Sequence, residues 1–129
     1  DTQYQLNKIP ELGKLISERA NIPIARNKPV LGHGNFIRES GIGINFVMND
    51  PLVMFGTHPS LTGKTGEVVL GKKSGKASII YKMGELGMGA LEDKEIVLIL
   101  DEVKAAGIAK RDVLTNEEFT NIVTAVVAR

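Results

Sequence analysis

GEVVLGKKSGKASIIYKMGELG, residues 66–87, decides the fold, because it changes periodicity halfway through. Glu67 to Leu70 is a short apolar run bounded by glycines and reads as a strand. From Ser74 onward Ile79, Ile80, Met83 and Leu86 recur at helical spacing, with Ser74 as N-cap and Gly87 as the stop. The intervening Gly71-Lys72-Lys73-Ser74-Gly75-Lys76 has the composition of a phosphate loop, but no register supplies Gly, four residues, then Gly-Lys-Ser/Thr. Gly66 to Gly71-Lys72 has the spacing, yet Lys73 stands where the hydroxyl belongs. The stretch is a strand-to-helix junction.

C-terminal to it, Ile96, Leu100 and Val103 predict a second helix over Asp93–Ala106, ended by Gly107. Glu92, Asp93 and Glu95 suit a helix start, where unpaired N–H groups favour negative charge. Thr115 and Glu118 form a capping box, and Leu114 and Phe119 a hydrophobic staple, opening a third helix. Three helices joined by tight turns predict a small bundle. N-terminal to the junction, Leu6, Ile9, Leu12, Leu15 and Ile16 predict a helix over Asn7–Ala20, with Pro10 in its first turn. Its apolar stripe has little nearby in sequence to cover it. Between these lie Gly32, Gly34, Gly41, Gly43 and Gly56, an irregular region of the kind that carries function.

The expected class is mainly α with a small irregular α/β part: an N-terminal helix, a glycine-rich subdomain with a short strand, and a C-terminal three-helix bundle. The expected divisions are 1–29, 30–72 and 73–129. The 129 residues carry a formal charge of +1 with acids and bases interleaved, which argues against nucleic acid as a partner. No apolar run approaches the roughly 20 residues that cross a membrane, and a cytoplasmic location is expected. The chain has no cysteine, which excludes disulfides and thiolate metal sites. An opening at Asp1 that runs straight into a helix suggests a piece of a longer protein.

Candidate chemistry is sparse. His33 and His58, with Glu39, are the candidate acid/base groups, but their spacing matches no ligand motif, so no metal site is expected here. Arg38-Glu39-Ser40 could present a cation, a carboxylate and a hydroxyl; a solvated turn is the plain alternative. Lys72, Lys73 and Lys76 flank a helix start and form a candidate anion site, against a merely solvated cluster.

NKPVLGHGNFIRESGIG (27–43) and TGKTGEVVLGKKSGKASI (62–79) together resemble the region that follows the catalytic barrel in the 2-isopropylmalate, homocitrate and citramalate synthases. The resemblance covers nearly the whole chain. It implies a parent enzyme whose barrel holds a divalent metal (Mg, Mn or Zn) and condenses acetyl-CoA or another acyl-CoA with a 2-oxo acid. This segment would hold no cofactor itself. It would cover the active site, commonly that of the partner in a homodimer, and be inactive without the barrel. Arg38 and Ser40 become candidate substrate contacts, and Lys72, Lys73 and Lys76 candidates for CoA phosphates.

Two family positions depart. The histidines of the family pattern correspond to Arg38 and Gly43, and a tyrosine expected in the following loop falls near Met54 or Phe55. Either His33 or His58 takes over the proton transfer, or the parent runs a different reaction, a related C–C lyase included. A non-catalytic dimerisation or interaction module is the competing expectation.

Overall fold

A computed structural model describes residues 3–128. They form two compact units, the first from the chain up to Ile37 and from Phe46–Glu67, the second from Arg38–Asn45 and from Val68 onward.

In the first unit a 3-10 turn, Leu6–Lys8, leads into α1, Ile9–Ala20. Pro10 sits in the first turn of α1, where no intrahelical N–H is lost. Asn21 ends the helix in the left-handed conformation, which asparagine tolerates better than most residues. Gly13 alone of α1 is buried, against the side chain of Leu31, while Leu12, Leu15 and Ile16 remain exposed. The expected apolar stripe therefore exists and is uncovered. Phe36 and Phe55 meet edge to face with centroids 5.5 Å apart, an arrangement that sets the positive ring edge on the negative face. Val30 holds φ +65 in a tight turn closed by Leu31 N–H to the Pro29 carbonyl at 2.7 Å, an unusual conformation for a β-branched residue.

The second unit is the expected bundle: α3 (Lys76–Glu85), α4 (Asp93–Lys110) and α5 (Asn116–Val127). Ile79 and Met83, then Ile96, Ile99 and Val103, then Phe119, Val123 and Val126 each fall on one helical face and bury together with Leu70 and Leu114. Leu114 N–H donates to the Leu70 carbonyl at 2.8 Å, fixing the α5 entry to the junction strand. Thr115 and Glu118 cap α5 reciprocally, at 3.2 and 2.7 Å.

β1 (Ile37–Arg38) and β2 (Glu67–Val68) form a two-stranded parallel sheet, with Glu67 N–H on the Phe36 carbonyl and Val69 N–H on that of Arg38. The sheet is shorter than the expected strand over Glu67–Leu70. The irregular region also contains a helix that the sequence pattern did not announce, α2, Ile44–Asn49.

Two helix boundaries differ from expectation. Ser74 is not the N-cap of α3; that position is Gly75, and the buried Ser74 hydroxyl instead accepts from Gly71 N–H at 2.9 Å. Gly107 does not end α4, which runs to Lys110 and closes on a left-handed Arg111. A Cβ on Gly107 would lie 2.9 Å from Gly71 Cα and from Lys72 N. Close backbone approach, rather than a positive φ, is what this glycine supplies.

Candidate functional site

The two glycine-rich blocks meet in the second unit. Glu39 Oε1 accepts the Lys73 N–H at 3.0 Å. Two residues on, Gly41 lies against Gly75 so closely that a Cβ would stand 2.7 Å from Gly75 Cα and N. The Arg38–Gly43 loop is also braced within itself. Arg38 Nη2 donates to the Ile42 carbonyl at 2.6 Å, and Ile42 N–H donates to Ser40 Oγ at 3.3 Å. Arg38 Nε is buried without a hydrogen-bond partner. Gly43 then turns the chain into α2 with φ +70, in the left-handed region.

The lysines divide. Lys76 Nζ contacts both carboxylate oxygens of Asp93 at 2.8 Å, so its charge is matched by the first turn of α4. Lys72 and Lys73 have exposed side chains on the junction that Glu39 holds. A built anion site of all three is therefore not what the geometry brings together; two lysines face solvent and the third is engaged in an ion pair.

Both histidines belong to the first unit and Glu39 to the second. His58 caps the 3-10 turn Pro59–Thr62, its Nδ1 accepting Ser60 N–H at 3.3 Å and lying 2.7 Å from Ser60 Oγ. His33 is exposed on the Gly32–Gly34 loop. That loop is fixed by a lysine distant from it in sequence. Lys64 Nζ donates to the carbonyls of Leu31 and Gly32 at 2.8 and 3.1 Å and lies 5.9 Å from the Phe36 ring centroid. Burial pushes its pKa below the ordinary lysine value. The gripped atoms are backbone carbonyls, so no residue pattern signalled them. Among the described residues no group of three or more His, Asp or Glu side chains could hold a metal ion, and no helix is long and apolar enough to cross a membrane.

No family model matches the chain. Individual proteins do. A probable 2-isopropylmalate synthase of Ignicoccus hospitalis is 39% identical over 98 residues, 75% of this chain and 24% of that protein. The homocitrate synthase AksA of Methanothermobacter thermautotrophicus is 31% identical over 126 residues, 98% of this chain and 32% of its own length. The (R)-citramalate synthase CimA of Methanocaldococcus jannaschii is 26% identical over 107 residues, 83% of this chain and 22% of that one. The chain thus spans about a quarter to a third of the length of these relatives. By sequence it belongs to the family of the 2-isopropylmalate, homocitrate and citramalate synthases and corresponds to the C-terminal part of its members.

Proposed function

We propose that the chain is the active-site-covering segment of an acyltransferase that condenses acetyl-CoA, or another acyl-CoA, with a 2-oxo acid, and that it is inactive by itself. The observation that carries this reading is the match of 75%, 98% and 83% of the chain to synthases of three such products. The uncovered Leu12, Leu15 and Ile16 stripe supports it physically, because an isolated unit gains nothing from exposing that face. The stripe would seat the segment on the barrel of a homodimer. An acyl-CoA enolate must be kept from water, and a covering segment does this while closing the site around the acceptor.

Within this reading Arg38 contributes a planar, permanently charged fork suited to a substrate carboxylate or phosphate. Ser40 holds the turn on which Arg38 sits, and Lys72 and Lys73 offer diffuse attraction to the CoA phosphates. His33 or His58 would supply the imidazole that the family carries at Gly43. The divalent metal, Mg, Mn or Zn, is assigned to the barrel. A complete protein assayed with magnesium or manganese, acetyl-CoA and a panel of 2-oxo acids should release free CoA with at least one acid. Release with none would refute the synthase reading.

The second reading is a non-catalytic module. It is favoured by Gly43, where the resemblance places a histidine, and by Met54 and Phe55, near which it places a tyrosine. A fragment that self-associates, in a parent left inactive by Gly43→His with Met54→Tyr, would support that alternative.

A further inference from the structure

Three backbone layers are stacked in the second unit. The Arg38–Gly43 loop rests on the Gly71–Gly75 junction at Gly41 and Gly75, and the junction rests on α4 at Gly71 and Gly107. At its N-terminal side the loop is held by the Arg38 carbonyl, which accepts Val69 N–H at 3.0 Å, and by the side chain of Glu39. Its Oε1 accepts Lys73 N–H at 3.0 Å and lies 2.7 Å from the place a Gly71 Cβ would occupy. Only a glycine at 71 lets the carboxylate approach this closely. Ser74 completes the arrangement from below, with its hydroxyl on Gly71 N–H and its own N–H on the Gly71 carbonyl at 3.1 Å.

This geometry suits a mechanical role better than a proton-transfer one. The partner of Oε1 is a backbone amide, which neither takes nor gives a proton in catalysis, and the hydrogen bond to a carboxylate is stronger than one between neutral groups. Arg38 is the neighbour that benefits, since beyond the β1–β2 pairing at its own carbonyl the loop that carries its guanidinium is hydrogen-bonded within itself.

We infer that Glu39 is a positioning residue: its carboxylate anchors the Arg38–Gly43 loop to the strand-to-helix junction and thereby fixes Arg38, and it is not the acid or base of the reaction. The link to Arg38 and substrate rests on the proposed condensing activity; the anchor itself does not.

The test uses Glu39→Gln, which keeps an acceptor oxygen and cannot titrate, beside Glu39→Ala, which removes the acceptor. In the 129-residue chain, amide hydrogen exchange at Lys73 should be near wild type in E39Q and on the order of tenfold faster in E39A, the loss of one such bond. Gly41→Ala, which pushes the loop off Gly75 without touching the carboxylate, should also speed exchange at Lys73. In the complete protein, E39Q should retain kcat within about threefold, while E39A should raise KM for the 2-oxo acid more than it lowers kcat. A fall in kcat of about a hundredfold or more in E39Q, with Lys73 still protected, would overturn the inference in favour of acid/base work. Unchanged Lys73 exchange in E39A would overturn the anchor. Should the complete protein condense no 2-oxo acid, the reaction reading fails while the exchange pattern still decides the anchor.

Discussion

Alanine substitution at two glycines should move stability in opposite directions. Gly107 and Gly84 both lie inside helices, α4 and α3. In a helix interior alanine is favoured over glycine by roughly 0.5–1 kcal/mol, chiefly because the unfolded glycine has more freedom to lose. At Gly84 nothing lies within 4 Å of a new Cβ, so Gly84→Ala should stabilise by about 0.5 kcal/mol, the low end because the site is near the helix end. At Gly107 the Cβ would stand 2.9 Å from Gly71 Cα and Lys72 N and 3.1 Å from Gly71 C. Carbon contacts are optimal near 3.5–4.0 Å, so the helix and the junction must part by at least half an ångström. All three neighbours are backbone and none can swing aside. Overpacking of this kind costs about 1–3 kcal/mol, which leaves Gly107→Ala net destabilised by about 1–2 kcal/mol. Urea unfolding of the chain followed by circular dichroism should show the G107A midpoint about 1 M lower, for an m-value near 1.5 kcal/mol/M, and G84A slightly higher. Were G107A as stable as wild type, Gly107 would be a helix residue without a packing role, and the stacked-layer account of the bundle would be wrong.

Phe119→Ala, at a side chain only 1% exposed in the bundle core, should cost about 3–5 kcal/mol, read as loss of the cooperative thermal transition. The α5 cap should make stability pH-dependent. Glu118 has its pKa held below the ordinary 4.5 by its hydrogen bonds to Lys110 and Thr115. A depressed carboxylate pKa means that its stabilisation is fully present above the unfolded value and is lost as pH falls through the folded one. The midpoint temperature should therefore drop on acidification below about pH 4.5, and less steeply in Lys110→Gln. Lys64→Met should raise amide exchange at Gly34, whose N–H bonds the Arg26 carbonyl in the loop that Lys64 grips. Leu12→Glu with Leu15→Glu should change the chain's own stability by under about 0.5 kcal/mol each, as for exposed sites, yet abolish association with the barrel in the complete protein; a matching loss of stability in the chain alone would mean that the stripe is core.

Periodicity and capping made the bundle legible. Thr115 and Glu118 are local signals satisfied locally, and Phe119 follows from the helix they start. Ser74 and Gly107 depart from their local signals for a common reason. Each has a strong local meaning, cap and stop, that was overruled by a contact distant in sequence. Ser74 is drawn into the turn at Gly71, and Gly107 lies against that same turn from thirty-six positions away. α2 escaped notice because its six residues are too few to show a period. At the candidate site, residue types mark the Arg38–Ser40 loop, but only the fold brings the Glu39 carboxylate onto the Lys73 backbone N–H.

The same distinction governs what Gly43 means. The resemblance places a family histidine there, so glycine looks like simple loss of an imidazole. The backbone at this residue is left-handed, φ +70, at the point where the loop turns into α2. A side chain in that conformation costs about 1–2 kcal/mol, although histidine is among the residues that enter it more readily. Gly43→His therefore perturbs the loop as well as adding a proton-transfer group. An inactive Gly43→His parent argues for the non-catalytic reading only if Lys73 exchange shows that the loop is still seated on Gly75. If Lys73 becomes unprotected, the failure lies in the backbone. Gly43→Asn, which tolerates the left-handed region and carries no imidazole, is then the control: activity in the histidine variant above the asparagine one would identify the position as catalytic despite the strain.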